Sequence, residues 1–314
     1  MRTVAVIGAG LIGQGWAIVF ARGGWNVRLY DVRTEALGEA RELIVQQLAE
    51  LQRYDLLDDV QAAADRVSIV HTLPAALAGA DYVQENSPER LDVKRAVFAE
   101  LDQYAEPHAV IGSSTSSLPA SEYTASLPGR HRCLVVHPVN PPYLVPLVEL
   151  CGAPWTSPQA IDTAKQIMQE LGQKPIIVQH EIEGFVLNRL QGALLHEAFR
   201  LAAAGVASAE DIDTTIKDGL GLRWSFMGPF ETIDLNAPAG LADYCARYGG
   251  LYQSIGATQS QPAAWDETLV SSLEQQRREQ LPASELQARR FWRDEQLMKL
   301  MRHKNQTGDK YGPR

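Results

Sequence analysis

The N-terminal segment contains the feature that most constrains the fold. A short apolar run from Thr3 to Ile7 leads directly into Gly8-Ala-Gly10-Leu-Ile-Gly13, and an apolar helical pattern follows over residues 16–22. A second short run, from Asn26 to Asp31, ends in an acid. This order of strand, GxGxxG turn, helix, strand and acid is typical of dinucleotide-binding units in doubly wound parallel sheets. The sequence therefore predicts an α/β fold of the Rossmann type.

Each part of this fingerprint has a physical role. Gly8 permits a tight turn, Gly10 lets the backbone approach a pyrophosphate, and Gly13 lets the helix pack closely on the strand. The N–H groups at the helix N-terminus would bind phosphate, and Asp31 would accept hydrogen bonds from the adenosine ribose. The alternative is a glycine-rich turn in an unrelated α/β fold.

A second feature would bring a histidine and a glutamate together. The apolar run from Arg132 to His137 is followed by a proline-rich turn and by the apolar run 147–150, which contains Glu149. Two strands joined in this way are neighbours, so the imidazole and the carboxylate could meet across them. The carboxylate would fix the tautomer of His137 and leave the other ring nitrogen to act as a general base. The alternative is a histidine that only ends a strand and a solvated glutamate.

Other apolar runs predict the rest of a sheet and its helical connections. Strands are expected at residues 66–70, 80–84, 109–113 and 175–178, and helices at 93–104 and 158–171. A further helix, capped by Thr34, would bury the helically spaced residues Leu37, Ala40, Ile44, Leu48 and Leu51.

The strand at 109–113 runs into four hydroxyl residues, Ser114 to Ser117. At a strand end these could contact a ligand, but serine and threonine are equally good helix caps.

Helical patterns replace strands after Gly184. We therefore predict a Rossmann domain at residues 1–183 and an all-helical domain at 184–314, the latter for substrate binding and dimerisation. The helices would reach about His303, with interruptions near residues 219–229 and 249–262. The last dozen residues are polar and are expected to fray.

Composition excludes several classes of function. A net charge of -9 argues against a nucleic-acid surface, and no apolar run is long enough to span a membrane. The three cysteines, Cys133, Cys151 and Cys245, are isolated, so neither a disulfide framework nor a zinc site is indicated. These properties predict a soluble protein of the reducing cytoplasm.

Several motifs together resemble the 3-hydroxyacyl-CoA dehydrogenase family. They are Gly8–Gly13, Ser113–Leu118, His137–Pro141, Gly184–Arg189 and Met227–Glu231. Within that family, the chain is most similar to the lambda-crystallin branch, the L-gulonate 3-dehydrogenases, over nearly its whole length. This closer resemblance includes the segments His137–Tyr143, Phe185–Gln191, Gly219–Arg223, Leu235–Ala237 and Ala288–Asp294.

The resemblance implies NAD as the cofactor and assigns roles to individual residues. His137 would be the general base toward the substrate 3-hydroxyl, held by Glu149, while Ser116 and Asn188 would hydrogen-bond the substrate oxygen. No metal would be needed. The residues implied for the NAD site are Gly8, Gly10, Leu11, Ile12, Gly13, Asp31, Glu89, Lys94, Ser114 and Asn140.

Departures from the acyl-CoA enzymes favour a small free 3-hydroxy acid as the substrate. Ser114 replaces an asparagine of those enzymes, Pro138-Val139 replaces an aromatic pair, and the C-terminal domain is longer. In the acyl-CoA enzymes the segment that matches Gly219–Arg223 is shorter and lacks this arginine. We expect Arg223 to bind the substrate carboxylate, because a guanidinium binds a carboxylate through paired charge-assisted bonds. The alternative for Arg223 is an internal salt bridge.

Three other functions stay open at this stage. The enzyme alternatives are 3-hydroxyacyl-CoA dehydrogenase and carnitine dehydrogenase. The third is a non-catalytic structural protein of the crystallin type, although the presence of His137, Glu149, Ser116 and Asn188 favours catalysis. The family also implies a homodimer.

Overall fold

Eight short strands form one sheet. They are β1 (Thr3–Ile7), β2 (Asn26–Tyr30), β3 (Val67–Ile69), β4 (Tyr82–Glu85), β5 (Val110–Ser113), β6 (Cys133–Pro138), β7 (Leu147–Gly152) and β8 (Lys174–Val178). Their order is β3-β2-β1-β4-β5-β6-β7-β8, and every neighbouring pair is parallel except β6 and β7. The predicted doubly wound α/β fold is confirmed, and each expected strand is present with its ends displaced by at most two residues.

The computed structural model describes residues 1–261 and 263–307. The chain divides into two compact units, one containing Met1–Asn188 and Phe291–Arg314 and the other containing Arg189–Arg290. The sheet lies in the first unit. The second unit is built from helices, as the sequence predicts.

Seven helices connect the strands of the first unit. They are α1 (Leu11–Arg22), α2 (Glu35–Arg53), α3 (Val60–Asp65), α4 (Leu73–Leu77), α5 (Leu91–Tyr104), α6 (Ala120–Thr124) and α7 (Pro158–Glu170). The apolar positions predicted for α2 are all buried. Thr34 is not the side-chain cap that we expected, because its backbone is already helical and its hydroxyl makes no capping bond.

The remaining helices follow β8. They are α8 (Leu187–Ala203), α9 (Ala209–Thr214), α10 (Gly221–Trp224), α11 (Pro229–Leu235), α12 (Leu241–Thr258), α13 (Glu267–Gln280) and α14 (Leu286–Thr307), with a π-helical segment at Thr215–Leu220. None of the described helices has the length and apolar character needed to cross a membrane.

The predicted interruption near Gly249 is wrong at its N-terminal end. Gly249 and Gly250 lie within α12, which continues to Thr258. A glycine costs only about 1 kcal/mol inside a helix, and the helical turns on both sides outweigh this cost. Fraying predicted for the C-terminal residues falls mainly on residues 308–314, which lie outside the described part of the chain.

Both faces of the sheet are buried. In β1, Val4 and Val6 belong to the cluster on one face, with Trp16 and Phe20 of α1, whereas Ala5 and Ile7 belong to the cluster on the other. Burial on both faces is what parallel sheets require, because helices cover each side. The loops at the strand ends are therefore attached to a closely packed base.

The glycine-rich turn after β1 has little space for side chains. Gly8 has a φ of +96°, and a Cβ on Gly13 would lie 1.8 Å from the carbonyl oxygen of Gly8. A Cβ on Gly10 would meet nothing within 4 Å. Gly8 and Gly13 therefore close the turn, whereas Gly10 faces open space.

This difference predicts opposite effects for two alanine substitutions. Gly13→Ala should lower the free energy of unfolding by about 3 kcal/mol, the upper end of the usual cost of overpacking, because the new methyl group meets rigid backbone. Gly10→Ala is the matched control and should cost no more than about 1 kcal/mol, the usual loss at a helix N-cap. Urea unfolding of the two variants measures both values. Equal stability of the two variants would contradict this account of the turn.

Candidate active site

The polar residues singled out in the sequence gather at the carboxyl ends of neighbouring strands. Asp31 follows β2, Glu85 ends β4, Ser113 ends β5, and His137 is the penultimate residue of β6. These four strands run parallel to one another, so their carboxyl ends meet at one edge of the sheet. Open α/β sheets bind their ligands at this edge.

A cavity of about 590 Å³ lies beside the glycine-rich turn. Its wall is formed by Ile7, Gly8, Gly10, Tyr30, Asp31, Val32, Arg33, Leu73, Asn86, Ser87, Pro88, Val93, Val97 and Glu100. Asp31 is fixed there, because its two oxygens accept the N–H groups of Ala9 at 2.8 Å and Arg33 at 2.9 Å. The cavity thus combines apolar walls with one oriented carboxylate.

These features fit NAD. Helix α1 begins at the glycine-rich turn without a side-chain cap, so its first N–H groups remain for phosphate. The open space at Gly10 leaves room for the backbone to approach a pyrophosphate. Each carboxylate oxygen of Asp31 keeps a lone pair for a ribose hydroxyl, and a 2′-phosphate would meet its negative charge.

Four of the five hydroxyls in the Ser113–Ser117 run donate hydrogen bonds to side chains of neighbouring loops and strands. Ser113 donates to Glu85 at 2.6 Å, Ser114 to Asn86 at 2.7 Å, and Thr115 and Ser117 to Glu89 at 2.5 and 3.0 Å. Ser116 is exposed, and its hydroxyl makes no hydrogen bond to any described residue. None of these side chains caps α6. Ser116 is therefore the hydroxyl of this run that is left for a ligand.

Ser114 occupies a different place from the one expected. Its oxygen accepts the indole N–H of Trp16 at 2.9 Å and the amide of Gln84 at 2.8 Å, and it donates to Asn86. A hydroxyl has one hydrogen to donate and two lone pairs, so its capacity is used up. Ser114 supports the glycine-rich turn through Asn86, and its hydroxyl is not free to bind NAD.

Lys94 also differs from the expectation that it lines the NAD site. Its side chain is 1% exposed, and Nζ contacts the two oxygens of Glu85 at 2.8 and 3.0 Å. A buried ammonium must be paired, and Glu85 at the end of β4 is the nearest counter-charge. Lys94 therefore neutralises Glu85 beneath the site.

His137 and Glu149 meet as the sequence predicts. The antiparallel register of β6 and β7 places them opposite each other, with His137 Nδ1 2.8 Å from Glu149 Oε2. The other oxygen of Glu149 accepts the N–H groups of Val186 and Leu187, each at 2.9 Å. Both partners are buried, so the bond is shielded from water.

The surroundings of Glu149 keep it charged. Burial raises the pKa of this carboxyl, but the hydrogen bonds from His137, Leu187 and Val186 outweigh burial and hold the pKa below its usual value. A charged Glu149 accepts from Nδ1–H and thereby fixes the tautomer of His137. Nε2 is then the ring nitrogen with a free lone pair.

Asn188 lies next to the serine run. Its Nδ2 donates to the main-chain carbonyl of Ser116 at 3.0 Å, so the structure brings these two predicted residues together. Phe185, with a φ of 49°, is fully buried, and its ring centroid lies 5.7 Å from that of His137. The segment 185–188 thus packs on the imidazole and reaches the serine run.

The remaining predicted residues are distributed as follows. Leu11 is exposed and Ile12 is half-buried at the start of α1, and Asn140 is exposed in the turn between β6 and β7. Arg223 is exposed on α10 of the helical unit. Among residues 1–261 and 263–307 its guanidinium forms no ion pair, so the alternative of an internal salt bridge is not observed.

The sequence assigned no role to several residues that line or support the site. Tyr30, Val32 and Val97 form apolar walls of the cavity, and Glu85 anchors both Lys94 and Ser113. The apolar residues on either side of Asp31 could have predicted the apolar walls of the cavity. Glu85 gave a weaker signal, as an acid that ends a buried strand. The main-chain N–H groups of Val186 and Leu187, which donate to Glu149, cannot be recognised from the sequence.

Comparisons with known proteins agree with this site. The sequence model of the 3-hydroxyacyl-CoA dehydrogenase NAD binding domain matches residues 3–182, and that of the C-terminal domain matches residues 184–285. The chain is 41% identical to lambda-crystallin of Oryctolagus cuniculus over 309 residues, 96% of each protein. It is 40% identical to L-carnitine dehydrogenase of Pseudomonas putida over 250 residues, 79% of this chain and 77% of that protein.

A solved structure covers nearly the same length. It is 5-formyl-3-hydroxy-2-methylpyridine 4-carboxylic acid 5-dehydrogenase, an NAD+ dependent dismutase. The TM-score is 0.81 at 27% identity, with coverage of 96% of this chain and 98% of that chain. Given the matched span and the fit of the site to NAD, this chain belongs to the 3-hydroxyacyl-CoA dehydrogenase family and is an NAD-dependent oxidoreductase that acts on CH–OH groups.

Proposed function

We propose that the protein oxidises the 3-hydroxyl of a small free 3-hydroxy acid, as an L-gulonate 3-dehydrogenase does. The observation that carries this proposal is the buried His137–Glu149 pair, which leaves one imidazole nitrogen free to accept a proton. Oxidation of an alcohol by hydride transfer needs such a base, because the hydroxyl proton must leave as the hydride does.

NAD supplies the hydride acceptor when it is bound. His137 Nε2 takes the proton of the substrate hydroxyl, and the negative charge of Glu149 stabilises the imidazolium that results. The Ser116 hydroxyl hydrogen-bonds the substrate oxygen as it changes from alcohol to carbonyl. Asn188 has a second amide N–H beyond the one given to Ser116, and this group is available to the same oxygen.

Arg223 is the proposed ligand of the substrate carboxylate. Its guanidinium has no ion-pair partner among the described residues, and a fork of N–H groups binds a carboxylate through two parallel bonds. One relative, L-carnitine dehydrogenase, is named for a substrate with a free carboxylate and a 3-hydroxyl. A thioester of coenzyme A has no charge at that position for Arg223 to bind.

A second candidate substrate is a 3-hydroxyacyl-CoA. The observation that favours it is the match of both family domains, which are described by that activity, over residues 3–285. The chemistry at His137 would be the same, so substrate assays must separate the two. A purely structural role of the crystallin type is the non-enzymatic alternative.

Substitution of His137 tests the proposed base. His137→Ala should lower kcat by about 10²–10⁴, the usual contribution of a positioned general base. Affinity for NADH should hardly change, because the imidazole acts on the substrate. Glu149→Gln should also lower kcat, since the imidazolium loses its counter-charge. NADH formation and NADH fluorescence titration measure these quantities, and a His137→Ala variant with most of the wild-type kcat would refute the assignment.

A substrate panel combined with Arg223→Lys tests the substrate class. NADH formation is measured with L-gulonate, 3-hydroxybutyrate, L-carnitine and 3-hydroxybutyryl-CoA. Arg223→Lys keeps the charge but loses the fork, so KM for the preferred free acid should rise by about tenfold, the equivalent of one lost charge-assisted bond. NADH affinity and Tm should stay at wild-type values.

Arg247→Lys is the matched control for Arg223, because Arg247 pairs with Asp243 on the surface of the same unit. It should leave KM unchanged. The free-acid proposal fails if Arg223→Lys has a wild-type KM, or if kcat/KM is higher for 3-hydroxybutyryl-CoA than for every free acid.

We also propose that the protein is a homodimer in which the helical unit carries the interface. No described residue of helices α8, α12 and α13 is fully buried within the chain. On α12, four exposed apolar or aromatic side chains share one face at helical spacing, Tyr248, Leu251, Tyr252 and Ile255. Exposed apolar patches of this kind mark interaction surfaces, and a second copy would bury this face.

Leu251→Asp tests the proposed interface. The aspartate would place a charge in the apolar contact, so the variant should sediment as a monomer while the wild type sediments as a dimer. Gln253→Asp is the control on the opposite side of α12 and should remain dimeric. Sedimentation velocity measures all three, and a monomeric wild type would rule out the dimer.

A further inference from the structure

Glu89 binds the serine run through a single oxygen. Its Oε1 accepts four hydrogen bonds, from the Thr115 hydroxyl at 2.5 Å and from the Ser116 N–H, the Ser117 N–H and the Ser117 hydroxyl, each at 3.0 Å. The donors belong to three consecutive residues that follow β5, whereas Glu89 precedes α5. The carboxylate therefore links the loop before α5 to the loop after β5 through hydrogen bonds.

These hydrogen bonds restrict the main chain most strongly at Ser116. Its N–H is bound by Glu89, and its carbonyl accepts from Asn188, so the main chain is fixed on both sides of the residue. With N–H and carbonyl both bound, the direction of the Cα–Cβ bond is set. The hydroxyl, which has no partner among the described residues, can then point only over a limited range.

The charge of Glu89 strengthens this arrangement. Burial raises the pKa of its carboxyl, but the hydrogen bonds from Thr115 and Ser117, together with the positive charge of Lys94, hold the pKa below its usual value. Hydrogen bonds to an ionised acceptor are roughly twice as strong as bonds between neutral groups. The serine loop is thus held by a charged acceptor at neutral pH.

We propose that Glu89 is a positioning residue, which holds Ser116 so that its hydroxyl meets the substrate oxygen. This inference rests on the proposed function of Ser116 and goes beyond it. It also goes beyond the NAD contact that the sequence resemblance implied for Glu89. Oε2 accepts no hydrogen bond from the described residues, so a cofactor contact and the positioning role are compatible.

Two variants of Glu89 and one control separate these roles. Glu89→Ala removes the acceptor, and Glu89→Gln keeps a neutral carbonyl oxygen. Asp92→Asn changes an exposed acid of α5 whose one ion-pair partner among the described residues is Arg90. Hydrogen exchange of the Ser116 and Ser117 amides is followed by mass spectrometry with single-residue fragmentation. kcat is measured at saturating NAD on the best substrate of the panel, and Kd for NADH and Tm are measured for each variant.

The expected result is graded. In Glu89→Ala both amides should exchange at least about tenfold faster, and kcat should fall by about 10–10², the effect of a small displacement of a substrate-positioning group. Glu89→Gln should lie between Glu89→Ala and the wild type for both quantities. Asp92→Asn should match the wild type, and Tm should fall little because the loop is at the surface.

Two outcomes would overturn the proposal. One is wild-type exchange of the Ser116 and Ser117 amides in Glu89→Ala, even with a weaker Kd for NADH, because Glu89 would then be a cofactor ligand only. The other is faster exchange with an unchanged kcat at saturating NAD. The exchange measurement needs no substrate, so it can be read even if no compound of the panel is oxidised and the proposed function fails.

Discussion

The arrangement of the candidate active site depends above all on the buried carboxylate of Glu149. An ion removed from water costs several kcal/mol unless hydrogen bonds satisfy its oxygens. Here the imidazole of His137 binds one oxygen, and the N–H groups of Val186 and Leu187 bind the other. These donors come from β6 and from the segment that follows β8. One residue of β7 therefore joins three parts of the chain and sets the orientation of His137.

The same principle holds along the rest of the edge. The buried charge of Lys94 is paired with Glu85, which also accepts a hydrogen bond from the hydroxyl of Ser113. Ser114 links Trp16, Gln84 and Asn86, and Glu89 holds the three residues after Ser114. Each satisfied polar group ties a loop to the rigid sheet. Such fixed donors and acceptors are what hydride chemistry needs, because reacting groups must be aligned before reaction.

The helical unit presents a different physical situation. Its long helices expose apolar faces that the chain itself does not bury, and hydrophobic burial is the main favourable contribution to folding. A second copy of the chain would supply the missing contacts. In the proposed homodimer, the stability of that unit would depend on the contact between the two copies, so dissociation would also lower the stability of the fold.

The sequence by itself determined the fold class and the dinucleotide fingerprint, and it indicated that His137 could pair with Glu149. These features depend on local spacing, since glycine positions, apolar period and a short strand connection are visible along the chain. Only the tertiary structure decided which hydroxyl of the Ser113–Ser117 run stays free and that Lys94 turns inward. Their partners, such as Trp16 for Ser114 and Glu89 for Thr115, lie 98 and 26 residues away. Each polar side chain forms hydrogen bonds with the groups that folding brings close to it, and spacing along the sequence does not show which groups these are.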